Sequence, residues 1–211
     1  MKKILFVDIP MQPKSKVNYS MSGNVKNALN REVLYPLNSV LPQKIASGDE
    51  LRIVLLETKT NEKSHDMQTK ENSSIFETEI RECLAGKNAK IEIVHFESEF
   101  DESKENHEVR FRKMIDMLEK DAELYADITF GPRLIPMLVL CVFNFAERFY
   151  GSRIKGIFYG KVLHDLYDNK KTTGGAVFDV TSLYYLNSMT NSMLAADGED
   201  AKKTLDEFFA L

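Results

Sequence analysis

The residues best suited to chemistry lie in one motif near the middle of the chain, each two positions from the next: Asp127, Thr129, Gly131 and Arg133. The motif joins the end of an apolar run, 124–129, to a second apolar run, 134–145. Gly131 suits a helix N-cap, and Pro132 suits the first helical position, where a missing N–H costs nothing. Free N–H groups at a helix start favour an anion, so the motif predicts a site for a phosphate or a nucleotide edge.

Two other polar segments are expected at the same place. The loop after the first apolar run offers donors and one aromatic ring: Gln12, Lys14, Ser15, Lys16, Asn18 and Tyr19. The end of the apolar run 154–159 adds Tyr159 and Lys161. Such side chains suit phosphates and a stacked base. The alternatives are a solvated loop, a turn closed by an Asp127–Arg133 ion pair, and a Tyr159 packed on the sheet.

Several classes of protein are excluded or disfavoured. The chain lacks the glycine-rich fingerprints of dinucleotide-binding and P-loop proteins, and it lacks the nucleophile motif of the α/β-hydrolases. No spacing of cysteine or histidine suggests a metal site, and we expect no cofactor. A net charge of -4, from 32 acidic and 28 basic residues, disfavours binding to duplex nucleic acid.

The pattern of apolar runs predicts the fold class. Strands are expected at 3–8, 51–58, 91–96, 124–129, 154–159 and 176–180, and helices at 32–46, 75–84, 109–118, 132–150, 181–195 and from about residue 199. Strands that alternate with helices indicate an α/β protein with a mainly parallel, Rossmann-like sheet and helices on both faces. Right-handed crossovers then bring the loops after strands one, four and five to one edge.

The segments between these elements are expected to be irregular. Residues 9–24 and 161–175 are interpreted as loops, residues 59–73 as a mobile polar segment, and residues 97–107 as a solvated acidic one. The helix 134–149 is apolar on nearly every side, which predicts burial all round. A sheet covers only one face, so the other face needs a helix of the same chain or a second subunit.

The chain shows no sign of membrane insertion or export. The apolar run 134–145 is far shorter than the ~20 residues that span a bilayer, and the basic start has too short an apolar run for a signal peptide. We therefore expect a cytoplasmic protein without membrane partners. Cys83 and Cys141 are interpreted as reduced packing residues.

The motif and its successors resemble a known family. The sequence ADITFGPRLIPML, a later strand ending in Tyr159 and Gly160, and the helix opening Asp179-Val180-Thr181 resemble the CRISPR-associated Rossmann fold (CARF) sensor domains of type III CRISPR systems. The likeness extends from the first strand to the last helices. The chain departs from the family in its first loop, which contains two prolines, and in Phe130, where histidine is frequent.

The resemblance implies a function. Proteins of this family are homodimers that bind a cyclic oligoadenylate across the two-fold axis, and a C-terminal effector domain often follows. It implies a sensor domain over residues 1–196 and a C-terminal helix, 197–211, that begins a linker or an effector segment. The ligand would be cyclic tetra- or hexa-adenylate. The ligand-binding residues would be Gln12, Lys14, Ser15, Asp127, Thr129, Gly131, Arg133, Tyr159 and Lys161.

Two alternatives stay open at this point. The protein would be an enzyme, a metal-independent ring nuclease, if it aligned a ribose 2′-hydroxyl with the neighbouring phosphate, with Lys14, Ser15 and Lys161 as candidates. A generic α/β protein that binds a small nucleotide or a flavin is the third reading, because a fold alone permits many functions.

Overall fold

The computed structural model describes residues 1–21, 31–164 and 172–210. The strands in these ranges are β1 (Lys2–Asp8), β2 (Val17–Met21), β3 (Glu32–Val33), β4 (Glu50–Lys59), β5 (Lys90–Glu99), β6 (Glu123–Asp127), β7 (Arg153–His164) and β8 (Thr172–Asp179). The helices are α1 (Pro36–Val40), α2 (Lys63–Cys83), α3 (Lys104–Ile115), α4 (Ile135–Tyr150), α5 (Thr181–Ser192) and α6 (Gly198–Phe209). The chain divides into two compact units, Met1–Thr181 and Ser182–Leu211.

The described strands form one sheet in the first unit, in the order β3-β2-β8-β7-β6-β1-β4-β5. The five strands from β7 to β5 run parallel to one another, β8 is antiparallel to β7, and β2 is parallel to β8. Parallel strands are buried on both faces, which explains the continuous apolar runs of β1, β4 and β6. The predicted α/β class with a mainly parallel sheet is confirmed.

Helices cover both faces of the sheet. Side chains alternate between the faces of a strand, and Leu5 and Val7 of β1 belong to a core that also contains Tyr35 and Phe76. Phe6 points the other way and lies 6.1 Å, ring centre to ring centre, from Phe143 of α4. The helices α1 and α2 therefore pack on one face, and α4, with α3 beside it, packs on the other.

The first predicted loop contains a strand. Residues 17–21 form β2, which pairs with β8 so that Tyr19 lies opposite Gly175. The ring of Tyr19 occupies the space that a side chain at residue 175 would need, because a Cβ there would lie 2.5 Å from Tyr19 Cδ1. Residues 22–24 of this loop, like residues 165–171 of the second one, lie outside the described residues.

The predicted helix 32–46 is wrong over most of its length. Residues 32–33 form β3, Pro36 begins the short helix α1, and a 3-10 turn, Leu41–Gln43, follows directly. A proline inside a helix removes a hydrogen bond and clashes with the preceding turn. Pro36 therefore lies at a helix start and Pro42 in the tighter turn.

The predicted mobile segment, 59–73, is also wrong. Most of it forms the first half of α2, and the buried polar side chains in it have partners. Asn72 donates to the carbonyl of Pro10, and Ser73 donates to Glu57. Polar composition here reflects a helix with an exposed face and a hydrogen-bonded inner one.

Other predicted boundaries move by a few residues. The acidic segment, 97–107, holds the end of β5 and the start of α3, whose N-cap Ser103 accepts from Asn106 N–H. Strand β7 continues past Gly160 to His164, and β8 begins at Thr172, so both strands extend into the predicted loop 161–175.

The helix α4 differs from the prediction in two ways. It begins at Ile135 with Leu134 as N-cap, not at Gly131 and Pro132. It is also buried on one side only: Val139 and Phe143 face the core, whereas Met137 is 63% exposed. Cys141 is exposed too, so it is not the buried packing residue that the sequence suggested.

The second unit is described by itself. α6 is amphipathic and has no buried residue, and Phe208 and Phe209 at its end are exposed. Together with α5 it lines an apolar cavity of about 610 Å³.

Candidate functional site

The candidate site lies where the connections of the sheet diverge. Strand β1 has β4 on one side and β6 on the other, and it is parallel to both. In an open α/β sheet, a crevice forms outside the carboxyl ends of the strands at such a switch point, and ligands bind there. The loops after β1 and β6 line a cleft of about 260 Å³ at this place.

The loop after β1 forms one wall of the cleft with Pro10, Met11, Gln12 and Lys14. The side-chain amide of Asn72, on α2, donates to the carbonyl of Pro10 at 2.7 Å and to that of Gln12 at 3.1 Å. One buried helix residue thus fixes the path of this loop. Lys14 then lies with its Nζ 5.8 Å from the centre of the Phe130 ring.

The turn after β6 forms the opposite wall, and Asp127 holds its shape. The buried carboxylate accepts from Thr129 N–H at 2.9 Å and from Leu37 N–H at 3.2 Å. Burial raises the pKa of Asp127 to about 6, against the opposing effect of these hydrogen bonds. Thr129 Oγ1 accepts from Gly160 N–H at 2.8 Å, which ties the turn to β7. The Thr129 side chain also hydrogen-bonds Asp127, which opposes the effect of burial on the pKa of that carboxyl.

Gly131 has the backbone conformation that only glycine adopts readily, with φ of +79°. The carboxyl group of Asp8, at the end of β1, fills the space beside it. A Cβ at residue 131 would lie 1.9 Å from Asp8 Oδ1, so no larger residue fits here. Gly131 lines the cleft, so its close approach to Asp8 lies directly beside the cleft.

Asp8 itself is 1% exposed, and its carboxyl oxygens have no hydrogen-bond partner in the part of the chain that the structure describes. Burial raises the pKa of Asp8 well above its ordinary value, the charge of Asp127 adds to this, and Arg110 opposes it. A neutral carboxyl is therefore favoured, since an ionised one would be buried without compensation.

The turn after β6 has unused hydrogen-bond donors. Four of its backbone N–H groups donate to no acceptor among the described residues: those of Phe130, Gly131, Arg133 and Leu134. Successive N–H groups around a residue with positive φ form a concavity that suits an anion. The sequence predicted such donors at a helix start, whereas the structure provides them in a turn before α4.

Arg133 is exposed, and the ion pair with Asp127 that the sequence suggested is absent from the described residues. Asp127 instead holds the N–H groups of the turn and of α1. Arg133 does not line the cleft. It is exposed and comes two positions after Gly131, which does line it.

The other predicted site residues do not line the cleft. Ser15 is exposed in the first loop, and Tyr159 and Lys161 lie on β7 with Tyr159 42% exposed. Lys16 Nζ lies 3.5 Å from the buried carboxylate of Glu79, which also accepts from Leu34 N–H. The remaining two, Asn18 and Tyr19, belong to β2, and Tyr19 is buried.

One residue of the cleft was missed by the sequence analysis. His65, in the first turn of α2, lines the same cleft as Lys14 and Gly131. Its Nε2 lies 3.5 Å from Glu62 Oε2. The segment around it was interpreted as mobile, and no motif marks it, so only the packing of α2 beside the first loop shows its place.

The described residues hold no cluster of metal-binding side chains. Nor do they include a helix both long and apolar enough to cross a bilayer.

Comparisons with known proteins assign this chain to no family. Neither a scan against protein-family models nor a search of curated proteins finds a match. Among solved structures, the chain is similar to a point mutant of phosphofructokinase-2 from Escherichia coli, with 10% identity, a TM-score of 0.36 and 73% of this chain covered. The aligned part spans about half, 53%, of that protein. A likeness this distant bears on neither function nor site.

Proposed function

We propose that this protein is a CARF-like sensor that binds a cyclic oligoadenylate across a homodimer, as part of a type III CRISPR response. The observation that carries the proposal is the turn 130–134, which lies at the switch point of the sheet beside Lys14 and has four N–H groups without an acceptor among the described residues. The sequence resemblance to CARF domains falls on this same turn.

The chemistry of the cleft suits an adenylate. Unused N–H groups and the ammonium of Lys14 bind phosphate oxygens, and Arg133 adds positive charge nearby. The Phe130 ring lines the cleft and offers an apolar surface to an adenine. Burial, which raises the pKa of Asp8, disfavours a negative charge on this carboxyl beside the anion.

The exposed face of α4 supports a dimer. Leu134, Met137 and Cys141 are exposed and follow one another at spacings of three and four, so they share a face of the helix. An apolar stripe of this kind favours contact with a second copy. Because Leu134 is the last residue of this turn, a two-fold contact along the stripe brings the two turns close together.

The proposed output is a shift between dimer conformations. A ring that contacts both turns binds best to the arrangement in which they are close, and it stabilises that arrangement by its difference in affinity. An effector, in this chain's own context or in a partner, would read that change. The ring size is set by the distance between the two turns.

Calorimetry with cyclic tetra-adenylate and cyclic hexa-adenylate tests the proposal, together with light scattering to measure the mass in solution. We expect one ring to bind per dimer, and the linear oligoadenylate of the same length to bind more weakly. A folded protein that binds neither ring contradicts the proposed function. A monomer with bound ring contradicts the proposed dimer only.

A further inference from the structure

We infer that the free side of strand β5 is an interface, at which a second copy of this chain adds its own β5 in antiparallel orientation about a two-fold axis at Val94. The feature that carries the inference is the row of outward backbone groups of residues 91, 93, 95 and 97, which we call the β5 edge. This edge belongs to a strand of the sheet and not to the apolar stripe of α4, so the inference does not depend on the proposed function.

Strand β5 is the last strand on one side of the sheet, and it is long for that position. The strand at the opposite side, β3, has two residues, whereas β5 has ten and pairs with β4 over all of them without a register shift. Soluble proteins protect a sheet edge with a short strand, a proline, a bulge or charged side chains. The sequence of β5, KIEIVHFESE, contains charged residues but no proline. A long, regular edge is therefore open to another strand.

The hydrogen bonds to β4 show which backbone groups of β5 face outwards. Lys90 N–H donates to the Asp49 carbonyl at 2.9 Å, and Phe100 N–H donates to the Lys59 carbonyl at 2.7 Å. Successive residues of a parallel strand direct their backbone groups to opposite sides, so the even-numbered residues bond β4 and the odd-numbered ones face away from it. The backbone groups that face away and have no hydrogen-bond partner among the described residues are those of Ile91, Ile93, His95 and Glu97.

The carbonyl of Glu99 shows where the open part of the edge ends. It accepts from the Arg110 guanidinium and, at 3.3 Å, from the Asn106 side-chain amide, and both donors belong to α3. No side chain in the ranges that the structure describes does the same for the outward carbonyls of residues 91–97. The edge is thus closed by α3 at its carboxyl end and open before that point.

The positions of the outward groups select one register for the added strand. In an antiparallel pair, residues that face each other exchange two hydrogen bonds at every second position. An axis at Val94 places Ile91 opposite Glu97 of the second copy and Ile93 opposite His95. All four outward residues then form hydrogen-bonded pairs, with about eight bonds in total.

The neighbouring registers use the edge less well. An axis at residue 93 places residue 97 opposite residue 89, which lies outside the strand. An axis at residue 95 places residue 91 opposite Glu99, whose carbonyl is already bonded to α3. Only the axis at residue 94 uses the whole open edge and nothing beyond it.

The side chains are compatible with this register because no like charges face each other across the axis, and like charges directly opposite would destabilise the pair. The pairs on the even-numbered face are Lys90 with Ser98, Glu92 with Phe96, and Val94 with its own copy. The two carboxylates at the open edge therefore lie opposite apolar residues, and the strand is complementary to itself.

The charged side chains that could protect the edge are compensated within the chain. Glu92 Oε2 lies 2.9 Å from Arg52 Nε, and Glu97 pairs with Lys59. A carboxylate that is already paired with a cation repels an approaching strand less than a free one does. The charges of β5 thus leave its backbone available to a second copy.

Disulfide formation tests the register directly, in a Cys83→Ser, Cys141→Ser background. Val94→Cys places a thiol on the axis, in a non-hydrogen-bonded pair whose Cα atoms are about 4.5 Å apart, within reach of a disulfide. Glu92→Cys is the matched control on the same face, because its own copy lies four residues further along the second strand, more than about 13 Å away. We expect Val94→Cys to crosslink at least about tenfold faster under mild oxidation, read on a non-reducing gel.

Hydrogen exchange measured by NMR tests the same interface in the wild-type protein. The outward N–H groups of residues 91, 93, 95 and 97 should exchange about tenfold or more slowly at high than at low protein concentration. Those of residues 92, 94 and 96 bond β4 in either case, so their exchange should change much less. The even-numbered amides thus serve as a control within the same strand.

A third variant separates this interface from the proposed contact along α4. Met137→Lys places a charge on the exposed stripe of α4, and Val94→Cys should still crosslink when it is combined with this change. Crosslinking that is lost in the combined variant would mean that the thiols meet within the α4 contact, which overturns the inference.

Two other results overturn it as well: a folded Val94→Cys protein that crosslinks no faster than Glu92→Cys, and outward amides whose exchange does not depend on concentration. Selective crosslinking at Val94 together with concentration-dependent protection of the odd-numbered amides supports it. None of these measurements uses a cyclic oligoadenylate, so a protein that fails to bind the ring contradicts the proposed function alone.

Discussion

The two ends of the central strands differ in how completely their charged and polar groups are paired. At the amino end, the Lys3 ammonium is buried and lies 2.7 Å from Glu123 Oε2 and 3.4 Å from Asp49 Oδ2. It also donates to the carbonyl of Lys44. Asp49 in turn accepts from the chain's amino terminus at 3.0 Å. Each charge in this cluster, which we call the amino-end network, is compensated within the protein.

At the carboxyl end of the same strands Asp127 is hydrogen-bonded, but several other polar groups are not. Within the ranges that the structure describes, the carboxyl oxygens of Asp8 have no hydrogen-bond partner and four N–H groups of the turn after β6 donate to no acceptor. Lys14 faces an aromatic ring. Buried polar groups are normally paired, because leaving them unpaired costs folding free energy. The contrast teaches that the amino end contributes to stability, whereas the carboxyl end has N–H donors without acceptors among the described residues, which the proposed function assigns to a ligand.

The largest effect is expected from breaking the amino-end network. Lys3→Met removes the ammonium that lies 2.7 Å from the buried Glu123, which keeps only Arg153 at 3.7 Å, and it leaves Asp49 with the amino terminus alone. Loss of one partner of a buried ion pair costs about 3–5 kcal/mol. Urea unfolding measures this change. Lys2→Met is the control, since the exposed Lys2 pairs with Glu119 at the surface and should change stability by less than ~1 kcal/mol. Equal losses in both variants would contradict the contrast.

Gly131→Ala should act on the carboxyl end. A Cβ there meets the Asp8 carboxyl and requires a strained backbone, so we expect a loss of about 2–3 kcal/mol and of binding to cyclic oligoadenylate. Gly48→Ala separates the two causes, because Gly48 has a similar φ of +82° and open space around it. It should cost about 1 kcal/mol, measured in the same unfolding series. A similar cost for both glycines would show that the contact with Asp8 is unimportant.

Asp8 should make stability depend on pH. Its raised pKa means that the folded protein keeps a proton that the unfolded chain loses, so the free energy of unfolding falls as pH rises above about 4, by up to ~1.4 kcal/mol per unit. The contribution is complete below that pH and lost above the folded pKa. Asp8→Asn cannot ionise and should flatten the fall, measured by urea unfolding from about pH 4 to 7.

Part of that fall should remain in Asp8→Asn, because the pKa of Asp127, raised to about 6, acts in the same direction. The exposed Asp206 provides the comparison, and Asp206→Asn should keep the wild-type profile. An unchanged profile in Asp8→Asn would mean that this carboxyl is hydrated or paired in solution.

The smallest expected effect is on affinity alone. Lys14→Met removes one exposed cation from the cleft and should weaken binding of the ring by about tenfold, or ~1.4 kcal/mol, and lessen its dependence on salt. Stability should hardly change. Lys104→Met, on the exposed surface of α3, should leave affinity unchanged. Calorimetry at two salt concentrations distinguishes these results.

The place of the candidate cleft was predicted in part, and the binding of a ligand there stays a prediction. Thr129, Gly131, Gln12 and Lys14 lie along one cleft because the carboxyl ends of neighbouring parallel strands must meet, which a βαβ pattern already implies. Tyr159 and Lys161 flank Gly160, which bonds Thr129, but they do not line the cleft, because β7 continues as a paired strand past this point to His164. The pattern of an apolar run marks where a strand becomes buried and not where its pairing ends.

The misjudged segments share a physical cause. Polar residues of α2 were interpreted as mobile because composition does not show that Asn72 and Ser73 have buried partners 16 or more positions away. The apolar helix α4 was expected to be buried all round because apolarity does not show whether a partner is present. In both cases the missing information is the identity of the neighbour.

The sequence by itself determined the α/β class, the five parallel strands and the turn at Gly131, because these follow from apolar periodicity and from the backbone freedom of single residues. The tertiary structure alone decided that Asp8 is isolated beneath that turn, that Lys3 is paired at the opposite end, and that His65 shares the cleft with Lys14. Those properties depend on burial and on contacts between residues far apart in the chain, and a linear pattern contains neither.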